Sequence, residues 1–369
     1  MNWYEVKNID QIDSPALLIY PDRIQHNIQT MISNVEGNPK RLFPHVKTHK
    51  MSEVVQMQME AGIERFKCAT IAELEMVLST GAKTVLIAYQ MVGPKIDRLR
   101  QLVQKYPSAT ISSLVDNVNS AKQLGKIFDA YNLTANIYLD VDNGLHRTGY
   151  SLDDTTFGLV KDLSQIKNIN LLGLHVYDGQ FRSKKKADRK AGSDAAFAPV
   201  YDLVKKMEVE LGIKTEVISG GSPSFSSAAM REMVFCSPGT VLLWDAGYGE
   251  MIPELDLKWA AVLMTRIISK PTKGIITVDL GHKSIGSENP MEKRINFLNL
   301  DDYDAYKHSE EHLMVKVENW ENLAVGDVLY GIPFHVCPSV ALHDTAHIIK
   351  TGKWVENWEI LARRRKITV

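Results

Sequence analysis

A lysine with a histidine two positions to either side is the first candidate for chemistry in the sequence. It is Lys47, with His45 and His49 beside it in the segment 41–50. On an extended chain these three side chains project to one face. Desolvation and nearby cations favour the neutral form of an amine, and a neutral amine is what Schiff-base formation requires. The alternative is a basic surface loop without chemistry.

Two glycine-containing turns could bind a phosphate. Ser219-Gly220-Gly221-Ser222 precedes a helical stretch, and Ser237-Pro238-Gly239-Thr240 follows later in the chain. Free backbone N–H groups at such turns and at a helix N-terminus bind anions. Gly220, Gly221, Ser222, Gly239 and Thr240 are therefore candidate phosphate-binding residues. The alternative is that both are ordinary turns, since Gly, Ser and Pro are common there.

Two polar clusters follow further strand-like runs. One is Asp140–Gly149 and contains Arg147; the other is His175-Val176-Tyr177. Arg147 could hydrogen-bond a pyridine nitrogen and keep it unprotonated, because a fixed cation opposes a second one. His175 and Tyr177 face the same way on a strand, and His175 is a candidate catalytic base. A loop ion pair for Arg147 and a hydrogen-bonded core position for His175 are the alternatives.

The pair His335-x-Cys337 has the residue types of a metal site. On an extended segment both side chains point the same way, and imidazole with thiolate suits Zn²⁺. Two protein ligands leave positions open for substrate and water. The alternative is a buried cysteine near an unrelated histidine.

Eight short β-rich runs alternate with amphipathic helical stretches in the first two thirds of the chain. They lie at 41–46, 65–68, 84–88, 110–115, 134–141, 169–176, 215–219 and 233–236. Alternating strands and helices predict a parallel sheet, and eight units over about 200 residues suit a (β/α)8 barrel. A doubly wound open sheet is the rival, but no GxGxxG follows the first run. In a barrel, Lys47, Arg147, His175, Tyr177 and both turns fall at the carboxyl ends of strands.

The pattern changes near residue 255, after which the runs are strand-like and separated by turns. Examples are 259–268, 274–278, 311–317, 327–330 and 346–350. We therefore predict a barrel over 21–250 and an all-β domain over 251–369. The run 16–20 could pair with it, so residues 1–20 are assigned to the β domain.

Composition excludes several classes of protein. Hydrophobic residues make up 44% and charged residues 24%, which is typical of globular proteins. The net charge of −1 favours neither nucleic acid nor an anionic membrane. No apolar stretch approaches the ~18 residues of a membrane span, and the N-terminus lacks the pattern of a secretory signal. The three cysteines show no disulfide spacing, so a cytoplasmic location is expected.

The motif Pro44-His45-Val46-Lys47-Thr48-His49-Lys50 resembles the cofactor-lysine motif of the D-threonine aldolase and eukaryotic-type D-serine dehydratase family. These are fold-type III pyridoxal 5′-phosphate (PLP) enzymes, related to the alanine racemase barrel. The resemblance runs through nearly the whole chain. It includes Asp13-Ser14-Pro15-Ala16-Leu17, Cys68-Ala69-Thr70-Ile71, His146-Arg147-Thr148-Gly149, Gly220-Gly221-Ser222, Pro238-Gly239-Thr240 and His335-Val336-Cys337-Pro338.

The resemblance implies PLP on Lys47, a divalent metal on His335 and Cys337, a C-terminal β domain and a homodimer with its active site near the interface. Aldolases of the family tend to carry His-x-Asp at the metal and dehydratases His-x-Cys. The cysteine here therefore favours a dehydratase and zinc, with manganese or magnesium as alternatives. The expected substrate is a D-3-hydroxy amino acid.

Two reactions suit this expectation. A dehydratase would convert the substrate to a 2-oxo acid and ammonia, with Lys47 removing the Cα proton. An aldolase would cleave Cα–Cβ to give glycine and an aldehyde, with His175 or a metal-bound water as the base. Competing readings are an amino-acid racemase, which has no use for a metal, a PLP-binding carrier without turnover, and a structural dimer module.

Overall fold

The structure, a computed structural model, describes residues 2–369. The chain divides into two compact units. The barrel unit comprises Met31–Lys47, Val55–Gly239 and Arg365–Val369. The antiparallel unit comprises the N-terminal residues through Thr30, Thr48–Val54 and Thr240–Arg364. The domain limits predicted from the sequence stay a prediction.

The regular elements alternate in the first part of the chain and are mainly strands in the last. The helices are α1 (Pro21–Asn34), α2 (Ser52–Glu60), α3 (Ile71–Ser79), α4 (Lys95–Lys105), α5 (Val118–Asp129), α6 (Thr156–Ser164), α7 (Lys186–Leu211), α8 (Phe225–Ala229), α9 (Ala246–Met251) and α10 (Val336–Val340). The strands are β1 (Ala16–Ile19), β2 (Arg65–Cys68), β3 (Thr84–Gln90), β4 (Thr110–Val115), β5 (Ala135–Asp142), β6 (Tyr150–Ser151), β7 (Ile169–Val176), β8 (Glu216–Ser219), β9 (Val234–Cys236), β10 (Ala261–Thr272), β11 (Ile275–Val278), β12 (Ile295–Phe297), β13 (Tyr303–His308), β14 (Leu313–Val317), β15 (Val328–Pro333), β16 (Thr345–Lys350) and β17 (Lys353–Glu359).

The sheet of the barrel unit is parallel and closes on itself. Its order is β2-β3-β4-β5-β7-β8-β9, with the short β6 beside β5. The extended segment 42–45 pairs with both ends: Phe43 N donates to Cys236 O (2.7 Å) and Lys67 N donates to Pro44 O (2.9 Å). The sequence prediction of a (β/α)8 barrel is confirmed, and its eight strand positions match the eight predicted runs.

Large apolar side chains fill the interior of the barrel. A buried cluster draws one residue each from the 42–45 segment, β3, β4, β5 and β8: Phe43, Leu86, Leu114, Tyr138 and Ile218. Such a filled interior makes the barrel a packed core, so polar groups are available mainly at its ends.

Local sequence explains why α3 starts directly after β2. Thr70 accepts a hydrogen bond from Glu73 N (3.1 Å), and the Glu73 carboxylate accepts one from Ala69 N (2.6 Å). This reciprocal arrangement is a variant of the capping box, which satisfies the free N–H groups of a helix start. It fixes the point at which β2 ends and thereby places Lys67 near the carboxyl end of that strand.

The antiparallel unit contains a sheet of order β13-β14-β11-β10-β1-β16-β17, with β15 also on β10 and β12 on β15. The N-terminal strand β1 lies inside it, antiparallel to β10 and parallel to β16. The C-terminal all-β architecture predicted from the sequence is confirmed. Among residues 2–369, no helix is both long and apolar enough to cross a membrane.

Candidate active site

A cavity of about 540 Å³ opens at the carboxyl ends of the barrel strands. Four of the residues predicted to carry chemistry line it: Lys47, Arg147, His175 and Tyr177. The other lining residues are His45, Lys67, Ala69, Ala88, Tyr89, Gln90, Val92, Leu114, Val115, Asp116, Asp140 and Thr148. This is the end of a barrel at which catalytic groups collect.

Lys47 lies in a single 3-10 turn, Val46–Thr48, that follows the extended segment 42–45. Its backbone N–H donates to His45 Nδ1 (3.2 Å), and its amine is 6.0 Å from the centroid of the Tyr177 ring. The predicted common face of His45, Lys47 and His49 is wrong, because the chain leaves the extended conformation at Val46. His49 is fully buried, and its Nδ1 accepts from Met51 N (3.2 Å).

Arg147 is positioned by a tight loop after β5. The Asp142 carboxylate accepts hydrogen bonds from Gly144 N (3.0 Å) and His146 N (2.9 Å). Gly149 has φ +100°, and a Cβ there would lie 2.7 Å from Asp142 N. The loop therefore folds back on β5 and needs glycine at this point. The Arg147 guanidinium carbon lies 4.7 Å from the centroid of the Tyr177 ring.

Lys67, which the sequence analysis missed, lines the same cavity. Its amine lies 3.4 Å from His175 Nε2, and His175 Nδ1 lies 2.7 Å from Asp140 Oδ1. Burial, then the charge of Lys47, lowers the pKa of Lys67 to about 7. Burial also lowers the pKa of His175. Burial alone would raise the pKa of Asp140, but the hydrogen bond and charge of His175, together with Thr148 and Arg147, lower it. The sequence did contain one signal for Lys67, because a lysine is unusual within a run predicted to be a buried strand, here residues 65–68.

The glycine loop after β8 contacts Tyr177. Gly220 has φ +88°, and Gly221 N donates to Ser224 Oγ (3.1 Å). A Cβ on Gly221 would lie 2.9 Å from Tyr177 Cε2, so a side chain would move the ring. The loop thus leaves room that only glycine provides. The helix that follows, α8, has five residues.

The second predicted turn, 237–240, spans the limit between the units. Gly239 ends a segment of the barrel unit, where His45 N donates to Pro238 O (2.8 Å). Thr240 begins a segment of the antiparallel unit, where its hydroxyl oxygen lies 3.6 Å from Cys337 Sγ.

His335 and Cys337 lie at the start of a helix, so the predicted extended segment is wrong. His335 is extended and caps α10, whose first residue is Val336. Pro338 fits there because the first helical turn needs no N–H donor. The Asp245 carboxylate accepts from Val336 N (3.1 Å) and so fixes the helix start.

The His335–Cys337 pair favours its charged forms. Burial alone would lower the pKa of His335, but hydrogen bonds to Cys337 and Glu288 raise it to about 9. Burial alone would raise the pKa of Cys337, but His335 and then Thr48, whose hydroxyl is 3.2 Å from Sγ, lower it. A thiolate is the form of cysteine that binds metals. Among residues 2–369, no group of three or more His, Cys, Asp or Glu side chains is arranged to hold a metal ion.

Comparisons with known proteins agree with this fold. Residues 19–245 match the family model of the alanine racemase N-terminal domain, and residues 260–349 match that of a putative serine dehydratase domain. The chain belongs to the alanine racemase N-terminal domain family and, within it, to the D-threonine aldolase and D-serine dehydratase group of PLP-dependent lyases.

Individual relatives include both reaction types. A 3-hydroxy-D-aspartate aldolase of Paracoccus denitrificans (strain Pd 1222) is 27% identical, covering 96% of this chain and 92% of its own. A D-threo-3-hydroxyaspartate dehydratase of Delftia sp. (strain HT23) is 29% identical over 39% of this chain and 37% of its own. The crystal structure of D-threonine aldolase from Filomicrobium marinum is 25% identical, with a TM-score of 0.87 and 96% of each chain covered.

Proposed function

We propose that the chain is a PLP- and metal-dependent lyase of D-3-hydroxy amino acids in which Lys47 carries the cofactor. The observation that carries this proposal is the position of the Lys47 amine. It faces a cavity of about 540 Å³ at the catalytic end of a barrel, beside the Tyr177 ring. When bound there, PLP supplies an electron sink for the breaking bond at Cα.

The residues of the barrel unit fit this cofactor. Gly221 leaves space against Tyr177 that a Cβ would fill. The Arg147 guanidinium approaches the same ring and would bind the pyridine nitrogen. Gly220, Gly221, Ser222, Gly239 and Thr240 would bind the phosphate, mainly through backbone N–H groups.

The donor set of His335 and Cys337 fits a divalent metal. Imidazole with thiolate favours zinc over manganese and magnesium, which prefer oxygen ligands. Substrate and water would complete the coordination, and the metal would supply Lewis acidity toward the 3-hydroxyl oxygen.

Dehydration to a 2-oxo acid and ammonia is the preferred reaction, on the strength of the cysteine at position 337. Lys47, once released by the substrate, would remove the Cα proton. Retro-aldol cleavage to glycine and an aldehyde is the second candidate, and the long matches to aldolases favour it. In that reaction the proposed base is either His175 or a water at the metal site. We further propose a homodimer with the active site near its interface.

Product analysis tests the function. The chain, loaded with PLP and Zn²⁺, is incubated with D-serine, D-threonine and D-3-hydroxyaspartate, each with and without a chelator. A 2-oxo acid that disappears with the chelator supports dehydration, and glycine supports cleavage. Lys47→Ala should form neither product. L-amino acids formed whether or not chelator is present would instead show a racemase, and no product at all would refute a lyase.

A further inference from the structure

Three buried titratable side chains form a continuous hydrogen-bonded row that extends from β5 through β7 to β2. Asp140 Oδ1 lies 2.7 Å from His175 Nδ1, and His175 Nε2 lies 3.4 Å from the Lys67 amine. All three residues are buried: Lys67 is 2% exposed, His175 4% and Asp140 7%. All three line the cavity that holds Lys47.

The carboxylate at one end decides the direction of these hydrogen bonds. Asp140 accepts, so the proton of the neutral imidazole sits on Nδ1 and Nε2 carries a lone pair. Lys67 then donates one N–H to Nε2. Both nitrogens of His175 are occupied, and the lone pair of a neutral Lys67 is left for a molecule in the cavity.

We propose that Lys67 is a catalytic base that accepts the ammonium proton of the incoming amino acid, with His175 and Asp140 as positioning residues. This inference rests on the proposed function. The amines of Lys47 and Lys67 lie 6.0 and 5.7 Å from the centroid of one ring, that of Tyr177. Both lysines line the same cavity, and the charge of Lys47 acts on Lys67, so a substrate nitrogen that reaches Lys47 enters the space that Lys67 also lines.

The proton balance is simple. One N–H bond of the substrate ammonium breaks and its electron pair stays on the substrate nitrogen, which becomes the free amine needed for attack at Lys47. The lone pair of Lys67 forms the new N–H bond. The resulting charge is compensated by Asp140 through His175. Lys67 returns the proton when the product nitrogen leaves, as ammonium or as the ammonium group of glycine.

The charges around Lys67 suit an amine that changes protonation state near neutral pH. Burial and the cations Lys47 and Arg147 lower its pKa, and the anions Asp140 and Asp178 raise it, for a result of about 7. An amine with this pKa is partly neutral at physiological pH, which is the condition for a general base.

The first arm of the test measures the titration without cofactor. The full-length chain is labelled with ¹³C at lysine Cε, and Lys67→Met identifies the Lys67 signal. We expect a midpoint near 7 that moves lower in Asp140→Asn, since Asp140 raises the pKa. The exposed Lys83, replaced in Lys83→Met, is the control and should leave the signal unchanged. Titration at the ordinary lysine value would overturn the proposal.

The second arm measures kcat/KM against pH for Lys67→Met and Lys67→Arg, since arginine keeps the charge but does not give up its proton. At pH 7 the kcat/KM of both variants should be about 10²–10⁴-fold lower than that of the wild-type chain. The loss of kcat/KM relative to the wild-type chain should shrink about tenfold for each unit by which the pH rises, because more of the free substrate has then already lost its ammonium proton. A deficit equal at every pH, or an active Lys67→Arg, would show a structural or fixed-charge role and overturn the proposal. If the wild-type chain shows no turnover, both the role of Lys67 and the proposed function are overturned. If Lys67 titrates at the ordinary lysine value while the wild-type chain turns over, only the role of Lys67 is overturned.

Discussion

Three cationic side chains surround one aromatic ring in the cavity. The nitrogens of Lys47 and Lys67 lie 6.0 and 5.7 Å from the centroid of the Tyr177 ring, and the guanidinium carbon of Arg147 lies 4.7 Å from it. Each is attracted by the ring, but each also repels the other two. At the scale of residues, this crowding favours an anionic ligand and the loss of a proton from one amine.

Removing the Cys337 thiol should remove the metal. We expect Cys337→Ala to lose most of its bound zinc, because a thiolate with a lowered pKa is the stronger of the two proposed ligands. Elemental analysis after dialysis measures this. Cys236→Ala is the matched control, since burial raises the pKa of Cys236 to about 12 and keeps its thiol protonated. Unchanged zinc in Cys337→Ala would refute the proposed metal site.

Single residues were predictable where their neighbours in sequence were distinctive. Lys47 stands in a motif, and the cavity contains it. Lys67 stands in no motif and has chemical interest only because β5 and β7 bring Asp140 and His175 to it. That meeting of residues far apart in the chain depends on sheet order, which the sequence analysis left at the level of fold class.

At the scale of elements, the loop after β8 sets the position of Tyr177. We expect Gly221→Ala to weaken PLP binding, because its Cβ would lie 2.9 Å from Tyr177 Cε2 and the ring would have to move. Such overpacking costs about 1–3 kcal/mol, which corresponds to about a 5- to 150-fold rise in Kd. Titration of the cofactor-free chain with PLP measures the affinity.

The control is Gly158→Ala in α6, where a Cβ meets nothing within 4 Å. It should leave the affinity for PLP unchanged and stabilise the helix slightly. Equal PLP affinity in Gly221→Ala and the wild-type chain would show that the loop does not position the ring for the cofactor.

Elements whose apolar residues follow a clear period were predicted from the sequence, and elements that mix apolar and charged residues were not. All eight barrel positions were found because each short apolar run is bounded by helical periodicity. The strands β12, β13 and β17 were missed, since β13 and β17 carry charged residues on an exposed face and β12 has three residues. The helix α7 begins at Lys186, in a charged stretch without a clear apolar face, so the sequence pattern does not mark its start.

At the scale of the whole molecule, stability should fall in acid through buried histidines. The pKa of His49 is lowered by burial to about 3, and its Nε2 has no hydrogen-bond partner. Between pH 6.5 and 3 the unfolded chain therefore binds a proton there that the folded chain does not. This group alone makes stability fall by up to about 1.4 kcal/mol per pH unit on acidification.

The variant His49→Asn isolates this effect. Its side-chain oxygen can still accept from Met51 N, but it does not titrate. We expect lower stability at pH 7.5 and a shallower loss between pH 6.5 and 4.5 in urea unfolding. His312→Asn, at an exposed position, should keep the slope of the wild-type chain. An unchanged slope in His49→Asn would mean that His49 takes up its proton without unfolding.

The central claim, that Lys47 carries PLP, has a direct test because Lys67 lines the same cavity. Sodium borohydride reduces the bond between PLP and the amine that holds it, and peptide mass spectrometry then identifies the modified lysine. We predict one modified peptide, with the label on Lys47. A label on Lys67 or on any other lysine, or no label at all on the PLP-treated chain, would contradict it.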